Sequence, residues 1–479
     1  MIAGGAELRE QLRSLLGPEG FVADEAARAP YLSDHRRLYH GRALAVVRPG
    51  SVAEVARVLA LCNAAGAGVV PHGGNTSYCG GATPDESGRQ VVVALERLNR
   101  IREIDPANDS LVAEAGCRLA QVQAAAEAAE RFFPLSLGSE GSCQIGGNLS
   151  TNAGGTNVLR YGMMRELVLG LEVVLADGRV LEALSGLRKD NTGYDVKSLF
   201  LGAEGTLGII TAASLRLFPR QRAHATALIA VPDVRAAVAL LARVRAGSSE
   251  RASSFELMPR GALELTVRHI EGVSDPFGKP YPWYVLCELS ASRAAEALTE
   301  LLTEILGGAL AAGEVLDAVI AGSERERLAL WKMRENIPEA QRREGAGLKH
   351  DISVPVSRLA DFVARAGAWI ATAVPEGQLI AYGHAGDGNL HFNVSARPGA
   401  DVQRFLARGE PVRRFVHDLV RECGGSFSAE HGIGRLKVEE LERYTSPVEL
   451  AVMRALKETL DPRHIMNPGK VLRCGEQED

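Results

Sequence analysis

Several features that define large classes of protein are scarce in this chain. Only 5% of its 479 residues are aromatic, its net charge is -5, and it has no block of lysine and arginine. A nucleic-acid surface needs a positive field and stacking rings, so we exclude nucleic acid as a partner. No apolar run approaches the length of a membrane span. Residues 1–16 carry Glu7 and Glu10 and predict neither a signal peptide nor a transit peptide.

Cysteine is also sparse. The seven cysteines are scattered from Cys62 to Cys474 without a Cys-x-x-Cys pair, which argues against a disulfide framework, a thiolate zinc site and an iron–sulfur cluster. A reducing compartment fits this composition, so we expect a cytoplasmic protein. Neither a P-loop nor a strand-linked Gly-x-Gly-x-x-Gly motif is present, which argues against a P-loop ATPase and a Rossmann dehydrogenase.

The length of the chain predicts two or three domains. In the first half, the capping box Ser51–Glu54 predicts a helix that ends near Gly66. Strands are expected at 68–71, 91–95 and 111–115, and a helix at 119–132. Further on, strands at 225–231, 284–289 and 352–354 alternate with amphipathic helices at 234–245, 294–306, 324–337 and 356–372. This order predicts an α+β domain with an antiparallel sheet covered by helices, and the tail after Cys423 is predicted to be helical.

Three glycine-dense tracts lie beside predicted strands. The first contains His72-Gly-Gly-Asn-Thr76, the second runs from Pro134 to Asn157, and the third begins at Gly202. Flexible loops are the simpler explanation of any one of them. Three together favour a phosphate-rich cofactor such as a dinucleotide, because backbone amides in glycine loops can approach an anion closely.

The segment His384-Ala-Gly-Asp-Gly-Asn-Leu-His391 is the most informative stretch of the chain. Gly-Asp-Gly-Asn cannot continue a helix, so the two histidines flank a tight turn and can converge on one point. Alternation after the turn predicts a strand with His391 and Asn393 on one face. With Glu430, the two histidines form a set that would leave coordination positions open on a catalytic metal; three unrelated polar residues are the competing interpretation.

Three further residues admit two interpretations each. His431 is either a surface histidine in a glycine turn or a general base, since its ordinary pKa lies near neutrality. Arg334 belongs either to a solvated helix face or to a carboxylate site, and Lys349 either to an exposed ion pair or to the same site. The residues alone do not choose between these interpretations.

A set of motifs spread over residues 70 to 470 resembles one family. The motifs are PHGGNTS, the second glycine tract, GAEGTLGIIT, Trp331-x-x-Arg-Glu, KHDISVP, GHAGDGNLHFNV, AEHGIG and IMNPGKVL. They resemble the FAD-linked D-2-hydroxy-acid dehydrogenases of the vanillyl-alcohol-oxidase-type flavoproteins. The resemblance implies an α+β fold: an FAD-binding domain at 1–220, a substrate domain at 221–422, and a C-terminal segment at 423–479 that completes the site.

The resemblance also implies which residues bind FAD without a covalent link. They lie in the three glycine tracts and in the C-terminal motif: Pro71, Gly73, Gly74, Asn75, Thr76, Ser77, Gly80, Gly81, Pro134, Leu135, Gly138, Ser139, Ser142, Gly146, Gly147, Ser150, Thr151, Asn152, Gly154, Gly155, Gly162, Glu204, Gly205, Gly208, Ile209, Ile210 and Asn467.

By the same resemblance, His384, His391 and Glu430 match divalent-metal ligands, usually for zinc, and His431 matches the base. Arg334, Lys349 and Asn393 match substrate-binding positions, with His384 and His391 also meeting the substrate. The implied reaction is oxidation of D-2-hydroxyglutarate to 2-oxoglutarate by metal-assisted hydride transfer to the flavin. Where the family has a hydroxyl residue four positions after the arginine, this chain has Pro338.

The departure at Pro338 keeps D-lactate and D-malate open as alternative substrates. A second alternative is a non-catalytic flavin subunit of a glycolate-oxidase-like complex, although the intact set of His384, His391, Glu430 and His431 argues against it. The resemblance further implies an electron-transfer flavoprotein or a quinone as the electron acceptor, and a homodimer.

Overall fold

The computed structural model describes residues 4–295 and 297–473. The chain divides into two compact units. Unit 1 consists of residues 4–154, 163–220 and 430–473, and unit 2 of Gly155–Gly162 and Gln221–Ala429. Among the described residues, no helix is both long enough and apolar enough to span a bilayer. No disulfide joins the described cysteines, and Cys474 lies outside the described residues.

The α-helices are numbered in chain order. They are α1 Gly5–Gly20, α2 Glu25–Arg28, α3 Val52–Ala65, α4 Leu119–Ala128, α5 Ile145–Ser150, α6 Val158–Tyr161, α7 Val234–Ser248, α8 Arg260–His269, α9 Leu298–Ala311, α10 Glu324–Glu335, α11 Ile337–Glu344, α12 Leu359–Ala373, α13 Val402–Leu406, α14 Gly409–Glu422, α15 Val438–Tyr444 and α16 Pro447–Leu460.

The strands are numbered in the same way. They are β1 Ala43–Val47, β2 Gly68–His72, β3 Gln90–Ala94, β4 Ile101–Asp105, β5 Ser110–Glu114, β6 Arg131–Phe132, β7 Val168–Val174, β8 Val180–Ala183, β9 Ile209–Arg216, β10 Phe218–Pro219, β11 Ala223–Val231, β12 Ala252–Pro259, β13 Trp283–Ala291, β14 Asp317–Ile320, β15 Gly347–Leu348, β16 Asp351–Ser353, β17 Gly377–Tyr382 and β18 Asn389–Ala396.

Unit 1 is built on two main sheets. One is parallel with the order β1-β3-β2, and the other is a five-stranded antiparallel sheet with the order β4-β5-β9-β7-β8. Strand β3 is buried along its whole length, as expected of a central strand covered on both faces. Helices α1 and α3 pack on the parallel sheet through Leu12, Val55 and Leu59.

Unit 2 contains two antiparallel sheets. Strands β12-β13-β11-β14 form the first, and in the second β18 pairs with β17 on one side and with β15 and β16 on the other. Helices α7, α9 and α12 cover these sheets with a continuous apolar core. The α+β prediction for this part of the chain is confirmed, with two sheets where the sequence indicated one.

The ends of the helices agree with the sequence prediction in some places and differ from it in others. The Ser51 side chain accepts a hydrogen bond from the Glu54 N–H at 3.2 Å, and α3 ends at Ala65, just before Gly66, whose φ is +64°. The helix predicted at 119–132 stops at Ala128, because Glu130 turns to a φ of +56° before strand β6. The tail predicted to be helical contains α15 and α16, whereas the described residues 424–437 before them form turns and loops.

A buried ion pair within the C-terminal segment also connects it to the rest of unit 1. The Lys457 ammonium donates to Asp461 Oδ2 at 2.6 Å and to the carbonyls of Thr206 and Met466 at 2.8 and 2.7 Å. Asp461, which is fully buried, also accepts from the backbone N–H groups of Ile465 and Met466. The pair therefore closes the turn that precedes Asn467.

Replacing Asp461 with alanine should destabilise the protein strongly. Asp461→Ala leaves the Lys457 ammonium buried without its counter-ion, which costs about 3–5 kcal/mol. The measurement is urea unfolding of purified protein. Glu10→Ala, which breaks the exposed Glu10–Arg13 pair, is the control and should cost under about 0.5 kcal/mol. Equal effects of the two variants would contradict the assignment.

Candidate active site

Strand β18 carries two of the predicted site residues on one face. His391 is paired with Tyr382 of β17 and with Asp351 of β16. Leu390, Phe392 and Val394 are fully buried in the core of unit 2. The alternation predicted from the sequence is therefore confirmed, and the face opposite the core bears His391 and Asn393.

The reversal between His384 and His391 is a tight turn, as predicted. The Asp387 and Asn389 N–H groups each donate to the His384 carbonyl at 3.2 Å. Gly388 has a φ of +85°, and a Cβ at this position would lie 2.1 Å from the Val354 carbonyl oxygen. Only glycine fits there without displacing backbone. The turn brings the His384 and His391 rings together, with 5.6 Å between their centroids.

A buried carboxylate that the sequence analysis missed lies beside this turn. Leu257 of β12 exchanges two backbone hydrogen bonds with Gly383, at 2.8 and 3.0 Å. The neighbouring Glu256 accepts from His384 Nδ1 through Oε1 at 2.8 Å and from Arg334 Nε through Oε2 at 2.7 Å. The signal available in the sequence was one acidic residue between Phe255 and Leu257 in an otherwise uncharged run.

The Glu256 carboxylate is ionised in this environment. Burial by itself raises its pKa, but the electrostatic interactions with His384 and Arg334 and the hydrogen bonds from both outweigh burial and lower the pKa to about 2. Arg334, which is 5% exposed, belongs to a buried ion pair. Of its two interpretations, the solvated helix face is wrong.

Aromatic contacts through Tyr382 connect Arg334 to His391. Together with Glu256 and His384, these residues form a ring of contacting side chains in unit 2. The Arg334 guanidinium carbon lies 5.1 Å from the centroid of the Tyr382 ring, a cation–π distance. The Tyr382 and His391 ring centroids are also 5.1 Å apart. Tyr382 was not identified from the sequence, because an aromatic residue at the end of a buried strand resembles ordinary core.

Asn393 takes part in a buried amide network. Its Nδ2 donates to Gln341 Oε1 at 3.0 Å, and its Oδ1 accepts from the His350 N–H at 3.2 Å. Gln341 in turn donates to Ser395 Oγ at 3.2 Å. Lys349, the residue before His350, is exposed. Because the neighbouring His350 N–H donates to Asn393, the backbone of Lys349 lies next to this amide network.

In unit 1 the three glycine tracts and the C-terminal motif meet. A Cβ at Gly74 would lie 2.2 Å from the Ser142 carbonyl oxygen, so the first and second tracts pack backbone to backbone. The Glu204 N–H donates to the Ser150 carbonyl at 2.8 Å, joining the third tract to the second. Asn467 donates to the carbonyls of Gly81 and Glu204.

The meeting point offers polar groups to a ligand. Within the part of the chain that the structure describes, the buried Gln144 Oε1 and Asn467 Oδ1 have no hydrogen-bond partner. A Cβ at Gly147 would meet nothing within 4 Å, so there is space beside the second tract. Burial lowers the pKa of His72 to about 4, which keeps it neutral. These residues fit a dinucleotide, since neighbouring glycines let a polar ligand approach the backbone.

The remaining cofactor residues divide between the units. Gly155 and Gly162 lie in the short segment of unit 2, and the other predicted FAD-binding residues lie in unit 1.

The segment with Glu430 and His431 also belongs to unit 1, where it is held by Glu204. The two carboxylate oxygens of Glu204 accept from the N–H groups of Ile433 and Gly434 at 2.6 and 2.9 Å. Burial raises the pKa of Glu204, and these two hydrogen bonds oppose that effect. The His431 ring contacts Tyr78 edge to face, with 4.7 Å between centroids. His431 therefore lies on a well-anchored loop.

Comparison with known proteins defines the class to which this architecture belongs. Residues 43–184 match the FAD binding domain family, and residues 220–471 match the C-terminal domain of the FAD linked oxidases. Among solved structures, an alkyldihydroxyacetonephosphate synthase superposes with a TM-score of 0.77 at 18% identity, covering 96% of this chain and 84% of that one. The fold is that of the vanillyl-alcohol-oxidase-type flavoproteins.

Curated relatives narrow the class. A rice protein (Oryza sativa subsp. indica) named "Probable D-2-hydroxyglutarate dehydrogenase, mitochondrial" is 39% identical, over 96% of this chain and 80% of its own length. A Stutzerimonas stutzeri protein named "D-2-hydroxyglutarate dehydrogenase" is 35% identical, over 97% of this chain and 98% of its own length. The chain belongs to the FAD-linked oxidase family, as an FAD-dependent dehydrogenase acting on a CH–OH donor.

Unit 2 contains a second buried glutamate, on the strand next to that of Glu256. Glu288 of β13 accepts from Thr226 Oγ1 and Trp331 Nε1 at 2.7 Å each and from Arg327 Nη1 at 2.9 Å. Burial raises its pKa, but hydrogen bonds from His224, Trp331 and Thr226 and the charge of Arg327 prevail and lower it to about 2.

The contribution of Glu288 to stability should depend on pH. Because its folded-state pKa of about 2 lies below its ordinary value, this contribution is complete above pH ~4.5 and is lost as pH falls toward ~2. The difference in unfolding free energy between wild type and Glu288→Gln should shrink by about 2 kcal/mol from pH ~6 to pH ~3 in urea unfolding. The exposed Glu300→Gln should show no such trend; a constant difference for Glu288→Gln would refute the assignment.

Proposed function

We propose that this protein oxidises D-2-hydroxyglutarate to 2-oxoglutarate with FAD as the hydride acceptor. The observation that carries the proposal is the juxtaposition of Arg334 with His384 and His391 through Glu256. An arginine binds a carboxylate by a two-pronged fork, and a pair of imidazoles suits a divalent metal. A dicarboxylate with a hydroxyl group needs both functions, and relatives over most of the chain carry the corresponding name.

Arg334 and Lys349 would bind the distal carboxylate of the substrate. Arg334 is oriented by its ion pair with Glu256 and by the Tyr382 ring. Lys349 is an exposed point charge near the Asn393 network. Two cations for one distal carboxylate are the reason to prefer hydroxyglutarate to a monocarboxylic acid, since each charged hydrogen bond contributes about 1.5–3 kcal/mol.

His384, His391 and Glu430 would bind a divalent metal, for which we propose zinc. The residues of unit 2 fit this role, because Glu256 holds Nδ1 of His384 and leaves Nε2 as the ligand atom. Glu430 follows Ala429, whose N–H donates to the Asp351 carbonyl at 3.4 Å, and β16 with Asp351 pairs with the strand of His391. When bound, the metal would lower the pKa of the substrate hydroxyl as a Lewis acid.

His431 would remove the hydroxyl proton. The two hydrogen bonds to Glu204 and the contact with Tyr78 restrain its loop. A general base must be held within reach of the proton that it removes. The glycine tracts and Asn467 of unit 1, with Gly155 and Gly162, would hold FAD without a covalent bond, and FAD supplies the redox step. We propose an electron-transfer flavoprotein or a quinone as the electron acceptor, a homodimer, and a cytoplasmic location, which cell fractionation tests.

D-Lactate or D-malate remains the second candidate substrate because of Pro338. This residue lies in the first turn of α11, is exposed, and has no hydroxyl or N–H to donate. The hydrogen bond to the substrate that the family resemblance implies at this position would therefore be absent.

Reduction of the bound flavin by the correct acid tests the proposal. Anaerobic D-2-hydroxyglutarate should bleach the flavin absorbance quickly, and chelator treatment should slow the reaction. D-Lactate, D-malate and the L-enantiomers are the controls. Faster bleaching by D-lactate would shift the assignment to a monocarboxylic acid, and bleaching by none of these acids would contradict the proposal.

Lys349→Met should separate dicarboxylates from monocarboxylates. Loss of one charged contact of about 1.5–3 kcal/mol should raise KM for D-2-hydroxyglutarate by roughly 10- to 150-fold, with little change for D-lactate. Steady-state kinetics with a dye acceptor measures both values. Lys279→Met, at an exposed lysine elsewhere in unit 2, is the matched control. Equal losses with both acids would place Lys349 outside the distal carboxylate site.

A further inference from the structure

We propose that Glu256 is a positioning residue that holds His384 and Arg334 in one fixed relation, so that a single carboxylate aligns a metal ligand with the substrate-carboxylate anchor. The inference rests on the proposed function and deepens it. No motif used in the sequence analysis contains Glu256, and its role follows from its contacts.

The two carboxylate oxygens of Glu256 serve different partners. Oε1 accepts from His384 Nδ1 at 2.8 Å, and Oε2 accepts from Arg334 Nε at 2.7 Å. A carboxylate that forms an ion pair with a guanidinium group, as Glu256 does with Arg334, accepts hydrogen bonds but donates none. His384 must therefore carry its proton on Nδ1, which leaves the Nε2 lone pair for a metal.

Glu256 is itself held in place by burial and by the pairing of its strand. Its side chain is 1% exposed, and its strand is paired along one side with β13, where Leu286 is its partner. On the other side the adjacent Leu257 is joined to Gly383, the residue before His384. The strand that carries the carboxylate and the segment that carries the histidine are thus joined by backbone hydrogen bonds.

Arg334 is held on two sides of its guanidinium group. One edge of its guanidinium group is committed to Glu256, and its face lies over Tyr382. Only the remaining N–H groups are available to a substrate carboxylate. Because Glu256 fixes both the guanidinium plane and the His384 ring, it sets the separation between the two groups that would receive the two ends of the substrate.

Only glutamate satisfies both partners at this position. In Glu256→Gln the side chain keeps its size, but its single acceptor oxygen can serve either His384 or Arg334, and its NH2 group faces a donor. Glu256→Asp keeps the charge but withdraws the carboxylate by one methylene group.

Glu288 provides a matched control. It is equally a buried glutamate of the same sheet, it lies on the neighbouring strand, and it also pairs with an arginine of α10. Its carboxylate contacts Thr226, Arg327, Trp331 and His224, none of which we assign to metal or substrate. Glu288→Gln therefore reproduces the loss of a buried charge while the hydrogen bond between Glu256 and His384 is kept.

The experiment is calorimetric titration of metal-depleted holoprotein with Co2+, combined with steady-state kinetics. Glu256→Gln should weaken Co2+ binding 10- to 100-fold, the range for loss of a carboxylate partner of a ligating histidine, and should raise KM for D-2-hydroxyglutarate at least about tenfold. Glu256→Asp should recover part of both losses. Glu288→Gln should bind Co2+ within about twofold of wild type, and equal Co2+ affinities of the two glutamine variants would overturn the inference.

A double variant distinguishes the loss of a positioning contact from a general loss of folding stability. In Glu256→Gln with Arg334→Gln, the buried charges are again balanced, so folding should recover while Co2+ binding stays weak. Arg334→Gln alone, which keeps the carboxylate on His384, should bind Co2+ normally. Recovery of Co2+ affinity in the double variant would show that Glu256 only compensates Arg334, and would overturn the inference.

The same experiments separate this inference from the proposed function. If wild type binds Co2+ and the variants behave as stated while D-2-hydroxyglutarate fails to bleach the flavin, the positioning role holds for His384 and the substrate assignment fails. If wild type is bleached but Glu256→Gln matches Glu288→Gln, the inference alone fails. Wild type that does not bind Co2+ would overturn the inference as well.

Discussion

The arrangement of the candidate site in unit 2 depends on one buried negative charge. Glu256 lies in a strand whose neighbours Phe255 and Leu257 are core residues, and its carboxylate is stable there only because Arg334 and His384 share it. A buried carboxylate without such partners would lose several kcal/mol in desolvation. The charge therefore fixes the end of α10 and the turn after β17 against the same strand.

Unit 1 forms its predicted cofactor site mainly from main-chain groups. Its glycine tracts pack backbone to backbone, as at Gly74 and Ser142, so that main-chain groups rather than long side chains surround the predicted cofactor site. The same tracts hold the loop of His431, since Glu204 accepts from the N–H groups of Ile433 and Gly434. Cofactor loops and the candidate base are thus parts of one hydrogen-bonded structure.

The two buried glutamates of unit 2 illustrate how similar chemistry serves different purposes. Both have a pKa of about 2, and both pair with an arginine of α10. Glu288 anchors the helix to the sheet through Trp331 and Arg327, while Glu256 reaches a histidine of the candidate metal set. Burial and charge alone do not distinguish them; the identity of their partners does.

The sequence by itself determined the local structure around the site: the capping box of α3, the turn between His384 and His391, and the strand that presents His391 and Asn393. These depend on residues close together in the chain, where glycine and alternating polarity act directly. Only the tertiary structure decided that Arg334 is buried, that Glu256 is its partner, and that Tyr382 lies between Arg334 and His391. Glu256 and His384 are 128 residues apart, and no local pattern records a contact that arises when two sheets of one unit pack side by side.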